Sequence, residues 1–493
     1  MGLGDFLRDK IRHFLHIEPA QNRQIVIQQK LDYYGGAARN KLWYRGDSEE
    51  LAAFFGQLDV SPTVFWKASS TRGMEIRKIH TGIPKLMVKV LANIINHDYN
   101  GLKFKDAPAV EKRWKDIAKK NKTRKLFKHF VKKLLITGDG AFKISFDTSV
   151  LKDMPILEFI PGENVEFVYK RGRVSEVIFL TTYAHDRREY TFRERYGYGY
   201  IRYELLDDNG RQLPVNAISQ TGWADSEGVT FDNSVMLAVP AIYGESEQYE
   251  GRGESLYEGK SDSFDALDEA WSQWMDALRA GRTKQYIPED LIPRDPQTGK
   301  LIKPNAFDNR FIAIGSDMSE NGGNRIHNDQ PDIPHDSYLA TYVTALEQAL
   351  QGMISPSTIG IDVKKLDNAE AQREKEKTTL YTRGDIIELL NDVIPEVVAA
   401  TISADRIWHK QALEPVEVKV KFGEYANPSF ESQVETISKG KSGGIMSTAA
   451  AVDELYGDSK TEKWKADEVR RIKEEKGIVV LGDPPGVNTD GAA

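Results

Sequence analysis

The stretch Met353-Ile-Ser-Pro-Ser-Thr-Ile-Gly-Ile361 carries no charge, although it joins two segments patterned as helices. Upstream, Leu339, Tyr342, Val343, Leu346 and Leu350 recur at helical spacing from a start near Asp336. Gly352 suits the left-handed residue that closes such a helix. Downstream, Asp367 and Glu370 fit a capping arrangement. Turns charged all round follow as far as Lys377, then an apolar face of Ile386, Ile387, Leu390, Val393 and Ile394. Pro395 predicts a kink there without ending the helical path. Caps at both ends would hold the loop taut. A neutral loop carried on two helices can touch a moving polyanion without gripping it, because it forms no ionic contacts with phosphate.

The chain around this stretch has 493 residues, too many for one compact core, so two or more domains are expected. Hydrophobic content of 40% and charged content of 29% are those of a soluble globular protein. No stretch approaches the ~20 apolar residues that cross a bilayer, and no secretory signal is expected at the N-terminus. The absence of cysteine excludes disulfides, thiolate metal sites and a cysteine nucleophile, and fits a reducing compartment. The net charge of −7 argues against a tight, static DNA-binding protein but not against one that lets DNA slide.

Toward the N-terminus, residues 3–17 read as a short amphipathic helix, with His13 and His16 as ordinary surface residues. Residues 21–34 and 48–56 read as helices, with a turn at Tyr33-Tyr-Gly-Gly36. A longer helical stretch covers 75–97, with Pro84 early in a helix starting near Thr81. Residues 103–133 are strongly basic, and Trp114, Ile117, Phe127, Phe130, Val131 and Leu134 thread an apolar stripe through them. Two solvated amphipathic helices, or a contact surface for nucleic acid or an acidic partner, both fit that pattern. Alternating strands follow at 141–146, 156–160, 165–169 and 174–182, then at about 188–206 and 234–242. The regular turns between them predict a mostly antiparallel sheet.

Asp262 or Ser263 begins another helix, expected to run to about Lys284, with Phe264, Leu267, Trp271, Trp274 and Leu278 on one face. The tryptophans read as packing anchors. Residues 286–335 are irregular, with strands expected near Leu301-Ile302 and over 310–314 around a turn at Asp295-Pro-Gln-Thr-Gly299. Long excursions of this kind serve function or interaction. A strand at Glu417–Phe422 and three short helices over 428–476 complete the chain before a disordered tail after Val480.

Catalytic signatures are missing. There is no Gly-x-x-x-x-Gly-Lys-Ser/Thr phosphate loop, no Gly-x-Ser-x-Gly elbow and no His-Glu-x-x-His helix. Gly138-Asp-Gly140 enters a strand and so offers no helix N-terminus to a phosphate. No catalytic residue, metal ligand or cofactor is assigned.

The order of elements, with Ser355-Pro-Ser-Thr-Ile-Gly360, Asn368-Ala-Glu-Ala-Gln-Arg-Glu374, Gly443-Gly-Ile-Met-Ser447 and Ala450-Ala-Val-Asp-Glu-Leu455, resembles the portal proteins of tailed bacteriophages of the siphovirus type. The resemblance spans nearly the whole chain. It implies an α+β fold: a mixed helical and antiparallel-sheet wing (1–261), a stem helix (262–285) and a small α/β clip (286–335). A returning stem helix (336–352), a tunnel loop (353–366), a long kinked tunnel helix with a wing strand (367–427), a helical crown (428–478) and a tail (479–493) follow.

The resemblance further implies a closed homo-oligomeric ring, commonly of twelve subunits, at one capsid vertex of the virion, assembled in the host bacterial cytoplasm. Such a ring passes double-stranded DNA without sequence specificity during packaging and ejection. Its partners are the terminase large subunit, a head-to-tail connector, and major capsid and scaffolding proteins, with no membrane. ATP hydrolysis belongs to the terminase, so the chain itself is expected not to be an enzyme.

On this view Ser355, Ser357, Thr358 and Ile359 face DNA, with Lys364 and Lys365 as a positive girdle beyond them. Leu339, Val343 and Leu346 would pack with Leu267, Trp271 and Trp274 where stem helices of neighbouring subunits meet. Arg279, Arg282 and Lys284 either meet DNA or favour the helix C-terminus electrostatically. The competing classes are a metal-dependent nucleic-acid-processing enzyme and a scaffold or adaptor without a channel. A divalent-metal cleavage assay separates the first, and electron micrographs the second.

Overall fold

The computed structural model describes residues 31–69, 76–105, 107–224, 228–281, 284–302, 311–315, 327–329, 332–361, 369–423, 430–457 and 460–475. The fold is α+β and divides near residue 421 into a large unit and a small C-terminal one. The helix expected over 3–17, His13, His16, Arg282, Lys364, Lys365, Asp367 and the tail lie outside the described residues.

The large unit opens with α1 (Tyr33–Arg45) and α2 (Ser48–Gln57), capped by Asp32 and Asp47. The turn expected at Tyr33–Gly36 is therefore wrong: these residues form the first turn of α1. The Asp32 carboxylate accepts from Gly35 N at 2.8 Å, satisfying an otherwise orphaned amide. Gly36 is needed for a different reason, since a side chain there would overlap the Tyr249 hydroxyl. Helix α3 (Ile83–Asp98) begins two residues later than expected, with Pro84 in its first turn, and buries Met87, Val88, Leu91 and Ile95. Strand β1 (Tyr99–Phe104) follows directly.

The basic segment forms α4 (Pro108–Asn121) and α5 (Thr123–Thr137), joined at Lys122 in the left-handed conformation. All six apolar residues of its stripe are buried. Gly138 then turns the chain into β2 (Asp139–Ser145), which pairs antiparallel with β3 (Ile156–Pro161).

A six-stranded antiparallel sheet follows: β4 (Val165–Lys170), β5 (Arg173–His185), β6 (Arg188–Gly197), β7 (Tyr200–Leu206), β8 (Gln212–Leu213) and β9 (Val229–Thr230), the last paired with β7. Two of its hairpins turn at Arg171-Gly172 and Asp186-Arg187, all with positive φ, as tight primed turns require. Strand β10 (Ala238–Ile242) completes a three-stranded sheet beside β2.

Helix α6 (Ser261–Ala280) has no side-chain cap, and it ends four residues before Lys284. Gly281 closes it, packed so tightly against Ile333 that a side chain would collide. Lys284 instead starts β11 (Lys284–Pro288), which pairs parallel with β12 (Phe311–Ile314) and antiparallel with β13 (His327–Asp329). The expected turn at 295–299 is present, flanked by a bridge between Arg294 and Leu301.

Helix α7 (His335–Leu350) packs on α6. Helix α8 (Ala369–Trp408) is continuous over 40 residues, with Pro395 inside it. It lies over β2 and β10, and its Ala404 enters the core formed by Ala141, Ile144, Val177, Phe179 and Leu237. Strand β14 (Val418–Phe422) returns to pair with β1.

The small unit contains α9 (Phe430–Ser442), α10 (Thr448–Tyr456) and α11 (Glu462–Glu475). Ser447 caps α10, and α10 meets α11 through the Tyr456 and Trp464 rings, 4.9 Å apart, and the Lys465–Asp453 ion pair.

Candidate nucleic-acid interface

The uncharged stretch between α7 and α8 is held by α8. Gly352, at φ 80°, reverses the chain after α7. The Lys260 ammonium donates to the Gln351 carbonyl at 2.8 Å, satisfying an oxygen that the helix end leaves over. Met353, Ile354 and Ser355 are buried, Pro356–Ile359 forms one 3-10 turn, and Gly360 closes it at φ 79°.

Two threonines on one face of α8 fasten this loop. Thr382 Oγ1 donates to the Met353 carbonyl at 2.7 Å. Thr379 Oγ1 accepts from Ser355 N at 2.9 Å and lies 2.9 Å from Thr358 Oγ1. Residues three apart on a helix share a face, so one pair serves both ends of the turn. Thr379 is fully buried. The nearest described ion pair on α8 is Arg383 with Asp98 of α3, at 2.7 Å, one residue beyond Thr382.

Ser355, expected to face DNA, does not: it is 3% exposed. Its amide is spent on Thr379 and its hydroxyl lies 2.9 Å from Ser357 Oγ. Ser357, Thr358 and Ile359 are half-buried at the rim, and Gly360 is exposed. Between residues 351 and 361 no side chain ionises.

The six expected stem residues divide. Leu267 and Leu346 are fully buried, Trp271, Trp274 and Val343 half-buried, and Leu339 is 41% exposed within this one chain. Within this one chain α6 meets α7 through aromatic rings: Trp271 with Tyr342 at 5.2 Å, and Trp274 stacked on Tyr338 at 6.5 Å. Tyr338 was not singled out from sequence, although its spacing of four from Tyr342 was a signal. Arg279 is half-buried in the last turn of α6.

Two buried networks were also missed. Asp268, in the middle of α6, accepts from Thr81 N and Thr81 Oγ1 at 2.8 Å and from Trp66 Nε1 at 3.2 Å, and lies 2.7 Å from His80 Nδ1. With Asp265, which accepts from Phe65 N and Trp66 N, it docks Phe65, Trp66, His80 and Thr81 onto α6. Asp139, at the start of β2, accepts from the Tyr33 hydroxyl at 2.7 Å and from Arg252 and Gly253 N at 2.8 Å. Burial pushes the Asp139 carboxyl up, opposed first by the Arg252 guanidinium. These groups fasten segments that are distant in sequence to one another. Among the described residues no group of three or more His, Asp or Glu side chains is arranged to hold a metal, and no helix is long and apolar enough to cross a membrane.

No protein-family model and no curated protein sequence matches the chain. Among solved structures, it is similar to a chain in the neck of a native GTA particle computed with C12 symmetry, at 14% identity and a TM-score of 0.36, over 76% of this chain and 90% of that one. It is likewise similar to a chain in the neck of an empty GTA particle computed with C6 symmetry, at 15% identity and a TM-score of 0.36, over 75% and 89%. Likeness at that level carries no argument about fold or role.

Proposed function

We propose that the chain is one subunit of a portal-type ring at a capsid vertex, a conduit for double-stranded DNA during packaging and ejection. One observation supports this above the others: a loop without an ionisable side chain is clamped by neutral hydrogen bonds to a 40-residue helix, with Ser357, Thr358 and Ile359 at its rim. Each ionic contact with phosphate adds a salt-dependent binding term. A rim without charge lets a duplex pass with little holding it at any one register. In this reading the irregular segment 286–335 docks the terminase large subunit and the head-to-tail connector. The terminase supplies ATP hydrolysis and the chain carries no catalysis of its own.

Negative-stain images of the purified full-length chain test the ring. A closed ring with a hole wide enough for duplex DNA is expected, and a monomer or open filament overturns the proposal. Thr358→Glu tests the loop. It should slow DNA packaging while leaving ring images unchanged, and unaltered packaging removes the loop from the conduit.

A further inference from the structure

Beyond the loop and sharing no residue with it, we propose that the outward faces of α4 and α5 form a second nucleic-acid surface, one that holds the phosphates of duplex DNA without reading sequence.

The segment's charge is concentrated and unneutralised. Between Pro108 and Lys133, eleven Lys or Arg residues stand against two acids, Glu111 and Asp116, in a chain whose net charge is −7. Glu111 is committed to Lys115, and Arg113 to Asp405 at 2.7 Å. Lys119, Lys120, Lys122, Arg124, Lys125 and Lys128 have no ion-pair partner among the described residues, and all but Lys128 are exposed. Lys132 and Lys133 continue the face along α5. The His129 imidazole registers the resulting field: burial and then Lys133, Lys132 and Lys125 hold it below its ordinary value.

The cations are presented from a fixed backbone. Trp114, Ile117, Phe130 and Leu134 bury the opposite faces of both helices. Asn121 clamps the junction, donating to the Pro155 carbonyl and accepting from Leu157 N, both at 2.9 Å.

Three features select the ligand. The unpaired cations are almost all lysine, and lysine is depleted in protein–protein interface cores, where arginine is favoured. That favours phosphate over an acidic protein. The aromatic residues of the segment are all buried, so no platform stacks the bases of a single strand. That favours a duplex. No exposed Asn, Gln or Arg pair projects from the face to read base edges, so contact is with the backbone.

The test uses the full-length protein, a fluorescently labelled duplex of mixed sequence of roughly two helical turns, and a single strand of equal length. Anisotropy is followed from about 50 to about 200 mM salt, the range over which several phosphate contacts are strongly weakened. The duplex should bind more tightly than the single strand. In the quadruple variant K119Q/K120Q/R124Q/K125Q, affinity at low salt should fall at least tenfold. The slope of log K against log salt should shrink by about 0.9 for each cation removed.

An unchanged slope overturns the proposal, as does tighter binding of the single strand. A variant that alters particle mass in solution while duplex binding stays the same makes the face a contact between protein copies and overturns it too. The outcome is independent of the conduit: a monomer that still binds duplex through these residues keeps this surface and removes the ring.

Discussion

Arg383 Nε donates to Asp98 Oδ2 across 2.7 Å, with side chains only 13% and 7% exposed. This pair joins α8 to the end of α3 beside the loop. Removing one partner of a buried pair strands the other charge, at a cost of about 3–5 kcal/mol. Asp98→Ala should lower the urea midpoint accordingly, and Asp98→Ala with Arg383→Met should recover part of the loss. A single-variant loss under about 1 kcal/mol would class the pair with solvated surface bridges.

Thr379→Val keeps the shape of the side chain and removes the oxygen that serves Ser355 N. A buried donor left without a partner costs about 1–3 kcal/mol. Hydrogen exchange of the Ser355 amide should accelerate with that loss, whereas a serine at position 379 should preserve protection. Unchanged exchange would show that the hydroxyl does not hold the loop.

Gly138 and Gly253 face one another so closely that a β-carbon on either would overlap the carbonyl of the other. Gly138 also has φ 88°, a region that costs other residues about 1–2 kcal/mol before any clash. Gly138→Ala should therefore destabilise by more than about 2 kcal/mol in chemical denaturation. Gly172→Ala, with a similar φ but open space around it, should cost only the conformational part.

Burial pushes the Tyr99 and Tyr243 hydroxyls up to about 12. An ordinary tyrosine titrates near ~10, so the folded chain keeps protons that the unfolded chain releases. Their contribution to stability is fully present below pH ~10 and is lost as pH rises toward about 12. Alkaline denaturation followed by tyrosinate absorbance should show both groups titrating only with unfolding. Tyr99→Phe and Tyr243→Phe should flatten the decline.

Much of the fold was legible because local signals and burial agree. The period of Trp114, Ile117, Phe130 and Leu134 has one reading, and Lys170-Arg-Gly-Arg173 supplies the turn that its strands need. The errors arise where a distant partner decides. Gly35-Gly36 reads as a turn until Asp32 caps the first turn of α1 and Tyr249, 213 residues beyond Gly36, requires the missing side chain. Ser355 reads as an outward polar residue because its partner lies 24 residues away on α8. The pairing of β1 with β14 bridges most of the large unit, and no alternation within either strand names the other. In the loop, absence of charge was visible from sequence, but nothing local marked Thr379 and Thr382, just past the charged turns, as its clamp.

Helix α8 is about 60 Å long at 1.5 Å per residue. It is attached in its first half to the loop and α3, and toward its other end to the core beside β2 and β10 and, through Asp405, to Arg113 of α4. A rod fixed at three stations behaves as a strut. The turn at Pro356 and the foot of the basic helix pair are thus tied to one helix, and displacing either is expected to load the other.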